Sequence, residues 1–300
     1  MARFFVLVSL FAALTASAGA ADSIPSDQAV ESDNGRHFLW RATGPSGTEV
    51  FLLGSIHALP EEAYPLAAEI DEAFASAQTV FFEVDMEDTA GLGGRMMAAG
   101  ALPPDTRLGD VLEPETRRLL DVYLNESGLS FGAFEAMKPW MAALSLTSIE
   151  LMKAGFSVDA GLDLHLAQRA RKAGKDIEAF ETADYQISLF SDMDEDESRA
   201  FLRYALKDME SVVAQLGDLT RAWKNGDVPT LSALLTEAFS DEPELFERLV
   251  TVRNRAWLPR IEGLLKGDDT AMVVVGALHL VGPGGLIEML KNQGYRVEQL

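Results

Sequence analysis

Two stretches of the chain are apolar without alternation. Val50-Phe-Leu-Leu-Gly54 and Met272-Val-Val-Val-Gly276 are short unbroken apolar runs that end in glycine. A run of this kind reads as a strand buried on both faces, not as a half-solvated one. Three residues after each glycine comes a histidine, His57 in one case and His279 in the other. The glycine marks where the backbone leaves the sheet. The histidine then falls in the loop at the strand's carboxyl end, the rim where open α/β sheets bind ligands. A third run, Thr79-Val-Phe-Phe-Glu83-Val-Asp85, is interrupted by a carboxylate. A glutamate inside a buried strand needs a partner. Period two places Asp85 on the same face as Glu83.

The remaining pattern is mostly helical. His37–Thr43 reads as a strand and Gly44-Pro-Ser-Gly47 as a turn, so the first histidine motif rides on a hairpin. Leu66, Ile70 and Phe74 predict a helix over 66–77. Residues 87–110, rich in Gly, Met and Pro, predict a loop or a partly helical excursion, with Met96 and Met97 filling core or loop. Helices are expected over 114–126, 139–154 and 161–173. A short strand follows over 175–180, then a helix through Phe190. Residues 192–268 read as largely helical. Their acidic run Asp192–Glu197 sits at a helix start, where the macrodipole favours it, and Pro229 and Pro243 sit near later starts. A helix over 285–293 with Gly294 as its cap and a last strand over 295–299 complete the chain.

The strands lie at both ends of the sequence and must pair for a sheet to form. The expected class is α/β (α+β), a central mixed sheet built from the N- and C-terminal strands. A large helical insertion, roughly 87–268, lies over the sheet and is broken by the strand at 175–180. Residues 37–300 then form one domain.

Composition narrows the function. The net charge is −22, which supplies no basic field for nucleic acid or an anionic membrane. Cysteine is absent, which excludes disulfides, thiolate metal sites and a cysteine nucleophile. The N-terminus has a cationic start, an apolar run from Phe4 to Leu14, and Ala18-Gly-Ala20. This is the layout of a secretory signal peptide over 1–20, followed by a disordered leader over 21–36. Export to a bacterial periplasm is expected, with no membrane span after cleavage.

Two Gly-x-x-His motifs at the ends of apolar strands suggest one shared site. Neighbouring strands lie about 4.8 Å apart, so two imidazoles at adjacent strand ends can meet one ligand. Glu83 can add a carboxylate ligand or a base, and two histidines with a carboxylate suit a divalent metal. Without metal, neutral His serves as base and electrophile. A buried salt bridge to an arginine is the bland reading of Glu83. Glu181 follows a strand and falls on the same rim. Arg253 and Asn254, one turn before Trp257, read either as a carboxylate- or peptide-binding pair or as a solvated helix face. Asp163 has no clear assignment. His37 and His165 read as structural. No Gly-x-Gly-x-x-Gly, Walker, His-Glu-x-x-His or Gly-x-Ser-x-Gly motif occurs.

These motifs together resemble the TraB/GumN (PrgY) family, related to the Tiki proteases. The resemblance covers roughly 37–300. It rests on Leu53-Gly-Ser-Ile-His57, Val80–Asp85, Gly161-Leu-Asp163, Glu181–Gln186, Arg253–Trp257 and Val275–Gly282. It implies a two-ended sheet with a helical cap, and a site on His57, Glu83 and His279 as catalytic or metal-binding residues. Glu181, Arg253 and Asn254 would shape a substrate pocket. Tiki-like members imply a peptidase that uses a divalent ion (manganese, cobalt or zinc) and takes a peptide or other small substrate. Two alternatives stand beside it. One is a protein that sequesters peptide or haem, and the other is a metal-free esterase-like hydrolase.

Overall fold

A computed structural model describes residues 35–85, 89–240 and 243–300. The signal-peptide and leader assignments fall on 1–36 and so lie almost wholly outside the described residues. Six strands form one mixed sheet. They are β1 (Leu39–Thr43), β2 (Glu49–Ser55), β3 (Thr79–Val84), β4 (Asp176–Glu181), β5 (Ala271–Gly276) and β6 (Arg296–Gln299), in the spatial order β4-β3-β5-β2-β1-β6. β2, β5, β3 and β4 run parallel. β1 is antiparallel to both β2 and β6.

The apolar runs become the centre of the sheet, as their lack of alternation predicts. Every residue of β5 is buried, and β2 is buried from Val50 to Ser55. The edges carry charge. Alternate positions of β4 are exposed, and Glu178 there pairs with Arg260. On β6, Glu298 meets Arg41 and Arg296. Charged edges discourage pairing with a second sheet.

Eleven helices of seven residues or more, or adjoining the site, are used below. In chain order they are α1 (Ala68–Ser76), α2 (Thr89–Ala99), α3 (Pro114–Ser127), α4 (Pro139–Lys153), α5 (Leu162–Ala173), α6 (Ala183–Ser191), α7 (Glu195–Lys224), α8 (Val228–Ala238), α9 (Val252–Lys266), α10 (Ala277–Leu280) and α11 (Leu286–Asn292). α2 forms in a glycine-rich stretch with poor helix propensity. Burial of Leu92 and Met96, one turn apart, offsets that cost. α7 starts with a capping box between Asp194 and Glu197. At its far end Trp223 Nε1 donates to the carbonyl of Gly54 at 2.7 Å, which ties this long helix to the end of β2.

Two local expectations differ from what is found. His279 lies in the one-turn helix α10, not in an open loop. Asp85 lies beyond the end of β3 and is exposed, because the ladder closes at Val84 opposite Glu181. Residues 89–99 are helix, the partly helical alternative expected for 87–110. Among the described residues no helix is long and apolar enough to cross a membrane.

Candidate active site

Because β2, β5, β3 and β4 are parallel, their carboxyl ends share one rim. His57 follows β2, His279 follows β5, Glu83 is the penultimate residue of β3, and Glu181 ends β4. α9 crosses this rim. Its residues Arg253, Trp257, Ile261 and Leu265 recur every four positions and all are buried, so Arg253 is carried inward on the apolar stripe.

Arg253 is fully buried and is the hub. Its Nε donates to Glu181 Oε1 at 2.8 Å. One terminal nitrogen donates to Glu83 Oε2 at 2.5 Å and to Glu181 Oε2 at 2.8 Å. The other reaches the carbonyl of Leu249 at 3.0 Å and His279 Nε2 at 3.1 Å. A guanidinium has five N–H groups, and all five are engaged. Leu249 belongs to a π-helical turn, Glu247–Thr251, that leads into α9. Such turns recur at functional sites.

His279 is also fully engaged. Since Arg253 can only donate, His279 Nε2 accepts, so Nδ1 carries the proton. Nδ1 lies 2.7 Å from Asn254 Oδ1. The Asn254 amide nitrogen in turn donates to the carbonyls of His279 at 3.1 Å and Gly284 at 2.9 Å. Burial, aided by the Arg253 charge and opposed by Glu83, lowers the His279 pKa to about 3. The ring is neutral and packs on Trp257, with centroids 4.5 Å apart.

His57 differs. Its Nδ1 faces Asp163 Oδ2 at 2.6 Å. Its Nε2 is buried and has no hydrogen-bond partner. Burial pushes the His57 pKa down, but Asp163 and Glu83 outweigh it and the net shift is upward.

Glu83 stands between the two histidines. Oε1 accepts from the Gly276 N–H at 2.7 Å and lies 3.7 Å from His279 Nε2. Burial alone would raise the Glu83 pKa. Arg253, the histidines and the Gly276 N–H more than reverse that and bring it to about 2. Glu181 also accepts from Trp257 Nε1 at 3.0 Å and from Gln186 at 3.2 Å. Burial raises its pKa against the pull of Arg253.

The common meeting point is Gly276. A methyl group there would come within 3.2 Å of Glu83 Oε1, 3.7 Å of His279 Cδ2 and 3.8 Å of His57 Nε2. The missing side chain leaves the small space that these groups face. Nearby, the carboxyl groups of Glu83 and Glu181 meet the Arg253 guanidinium and that of Asp163 meets His57.

The structure therefore gathers all six predicted residues on one rim. Arg253 and Asn254, however, are buried with their hydrogen-bonding groups engaged inside the protein, so they brace the site without reaching outward. Sequence reasoning left Asp163 and Gln186 without a role, although both lie on the buried stripes of their helices.

A mixed sheet with a polar, buried cluster at the carboxyl rim of its parallel strands is an α/β architecture, and that rim is where open α/β sheets bind ligands. The chain belongs to the TraB/PrgY/gumN family, whose model matches residues 38–299. It is 27% identical over 260 residues to the uncharacterized protein YbaP of Escherichia coli, covering 86% of this chain and 94% of that one. It is 23% identical over 327 residues to the metalloprotease TIKI2 of Danio rerio, covering 91% of this chain and 62% of that one. It is 24% identical over 319 residues to human metalloprotease TIKI1, covering 87% and 61%. No solved structure matches the chain.

Relatives named metalloproteases imply a metal. Two donors fit one as they stand. His57 Nε2 is bare, with its other nitrogen held by a carboxylate, the usual arrangement of a ligating histidine. Glu83 Oε1 faces the same space and accepts one hydrogen bond. The third expected donor, His279 Nε2, is taken by Arg253. Accordingly, no ready-made group of three or more His, Asp or Glu for a metal is found among the described residues.

Proposed function

We propose that this protein is a hydrolase of peptide bonds that works with a divalent cation held by His57 Nε2 and Glu83 Oε1. The observation that carries this reading is the bare, buried Nε2 of His57, aimed into the space at Gly276 beside Glu83. The metal and the peptide class both rest on the metalloprotease relatives. A bound cation would polarise a carbonyl and lower the pKa of a water toward ~7. The chain's own residues supply the rest. Asp163 holds the His57 ring. Arg253 holds Glu83 ionised and fixed. Gly276 keeps the space open and offers its N–H to Glu83. His279 and Asn254 brace Arg253 from behind. We assign this activity to a bacterial periplasm, a reading that rests on the N-terminal signal pattern.

A second reading has its own observation. Arg253 occupies His279 Nε2 and Glu83 Oε2, which suits a metal-free site where His57 acts as the base on water.

Purified protein incubated with a peptide library separates these. We expect cleavage that stops with chelator, returns with manganese, cobalt or zinc, and falls at least ~100-fold in His57→Gln. Full cleavage in excess chelator would select the metal-free reading. No cleavage under any condition would remove both.

A further inference from the structure

The segment around Gly161-Leu-Asp163 is stitched along the His57 loop. The Leu162 N–H donates to the carbonyl of Ile56 at 3.0 Å. Leu59 and Ser157 exchange backbone hydrogen bonds, and Tyr64 Oη donates to the carbonyl of Ala160 at 2.8 Å. Gly161 permits this closeness, since a Cβ there would lie 2.2 Å from the carbonyl oxygen of His57. The docking brings the first turn of α5 against the imidazole. Asp163 sits in that turn, where the helix end favours a carboxylate. Ser55, the last residue of β2, donates to Asp163 Oδ1 at 2.7 Å. Oδ2 makes no hydrogen bond elsewhere and lies 2.6 Å from His57 Nδ1.

A neutral imidazole carries one N–H, and its location is set by the partner of the other nitrogen. We infer that Asp163, anchored by Ser55, is a positioning residue: it fixes the proton of neutral His57 on Nδ1 and so presents a bare Nε2 to Glu83 and Gly276. The inference rests on His57 being the group that meets cation or water. It adds the residue that makes His57 competent, and it decodes the Gly-Leu-Asp motif. Glycine allows the approach, the leucine N–H and buried side chain seat the helix, and the aspartate sets the tautomer. A carboxylate in this place governs which nitrogen is available, whereas a merely structural ion pair would not.

The test uses the whole protein labelled with 15N-histidine. Long-range 1H–15N spectra report which ring nitrogen is protonated, and His57→Gln identifies the His57 signals among the four histidines. In the wild type we expect neutral His57 to show a protonated Nδ1 and a bare Nε2. Asp163→Asn is nearly isosteric and should move the proton to Nε2 or mix the two forms. It should also weaken manganese or zinc binding by about 10–100-fold in calorimetry, and Asp163→Glu should recover part of the loss. A wild-type tautomer and affinity in Asp163→Asn would overturn the inference. If the wild type binds no divalent ion, the proposed function fails while the spectra still decide the role of Asp163. If Asp163→Asn does not fold, Ser55→Ala replaces it. That variant must shift the Nδ1 resonance of His57, and an unchanged ring would count against the inference.

Discussion

The two Gly-x-x-His motifs are alike in sequence and opposite in structure. Gly54 is closed over: a Cβ there would lie 2.4 Å from the Phe38 ring. Gly276 is less crowded: a Cβ there would meet Glu83 Oε1 at 3.2 Å and the two histidine rings at 3.7 and 3.8 Å. His57 holds one nitrogen against Asp163 and leaves the other bare. His279 has both nitrogens engaged, by Asn254 and Arg253. Motif and rim position are shared, so the difference comes from what packs behind each loop. α5 brings a carboxylate to one, and α9 brings a guanidinium and an amide to the other. The repeated motif delivers two imidazoles, and the neighbouring helices divide their labour.

The largest test of that contrast is Arg253→Met. It removes the one cation between Glu83 and Glu181 and leaves buried carboxylates without a partner, at a cost of about 3–5 kcal/mol. Urea unfolding measures it. Stability within ~1 kcal/mol of wild type would mean that the closed half is not held by this hub.

His279→Ala comes next. It orphans an Arg253 N–H and the Asn254 oxygen and opens a cavity beside Trp257, so we expect a loss of about 2–4 kcal/mol. His57→Gln at the open half should cost under ~1 kcal/mol while abolishing hydrolysis. Equal stability losses in the two would erase the contrast.

The glycines give a smaller and cleaner pair. Gly54→Ala must displace the Phe38 ring and should cost about 1–3 kcal/mol, with cleavage per folded molecule retained. Gly276→Ala should cost less, since its nearest contact is 3.2 Å, yet it should block the site. Unfolding midpoints and cleavage rates of both variants provide the readout.

The smallest effect is in pH. Unfolded His279 takes up a proton near 6.5, but the native ring resists until about 3. The unfolded state binds more protons in that window. Its stability contribution is therefore complete above pH 6.5 and declines gradually on acidification. Glu83, lowered from 4.5 to about 2, adds the same sign below pH 4.5. His57 has the opposite sign. Its raised pKa gives stability below pH 6.5 that is lost as pH rises through the native value. Thermal unfolding against pH should lose its acid limb between pH 6.5 and 4.5 in His279→Ala and its alkaline limb in His57→Gln.

How much of this was legible depends on the kind of signal. β2, β3 and β5 were readable because buried parallel strands lack alternation. The six rim residues were readable because chemistry-bearing types stood at strand ends or in the recognised motifs. The inward placement of Arg253 and Asn254 was not, since Val252-Arg-Asn-Arg255 has the local look of a solvated turn. The signal was present at longer range, in the four-residue spacing of Arg253 with Trp257, Ile261 and Leu265. Asp163 was hidden in the same way, on a stripe with Leu166, Ala167 and Ala170. A single polar residue on an apolar stripe marks a buried partner, but its partner lies on another element, and spacing along one helix cannot name it.

The central position of β5 has a consequence for how the molecule is made. This strand pairs with β2 on one side and β3 on the other, yet almost the whole chain is synthesised before it appears. Until then the two halves of the sheet have no ladder between them, and closing so long a loop is entropically slow. Without β5 the two halves of the sheet share no ladder and His279 has no strand to carry it to the rim. Closure of the sheet is thus a single long-range event, and β5 is the element that performs it.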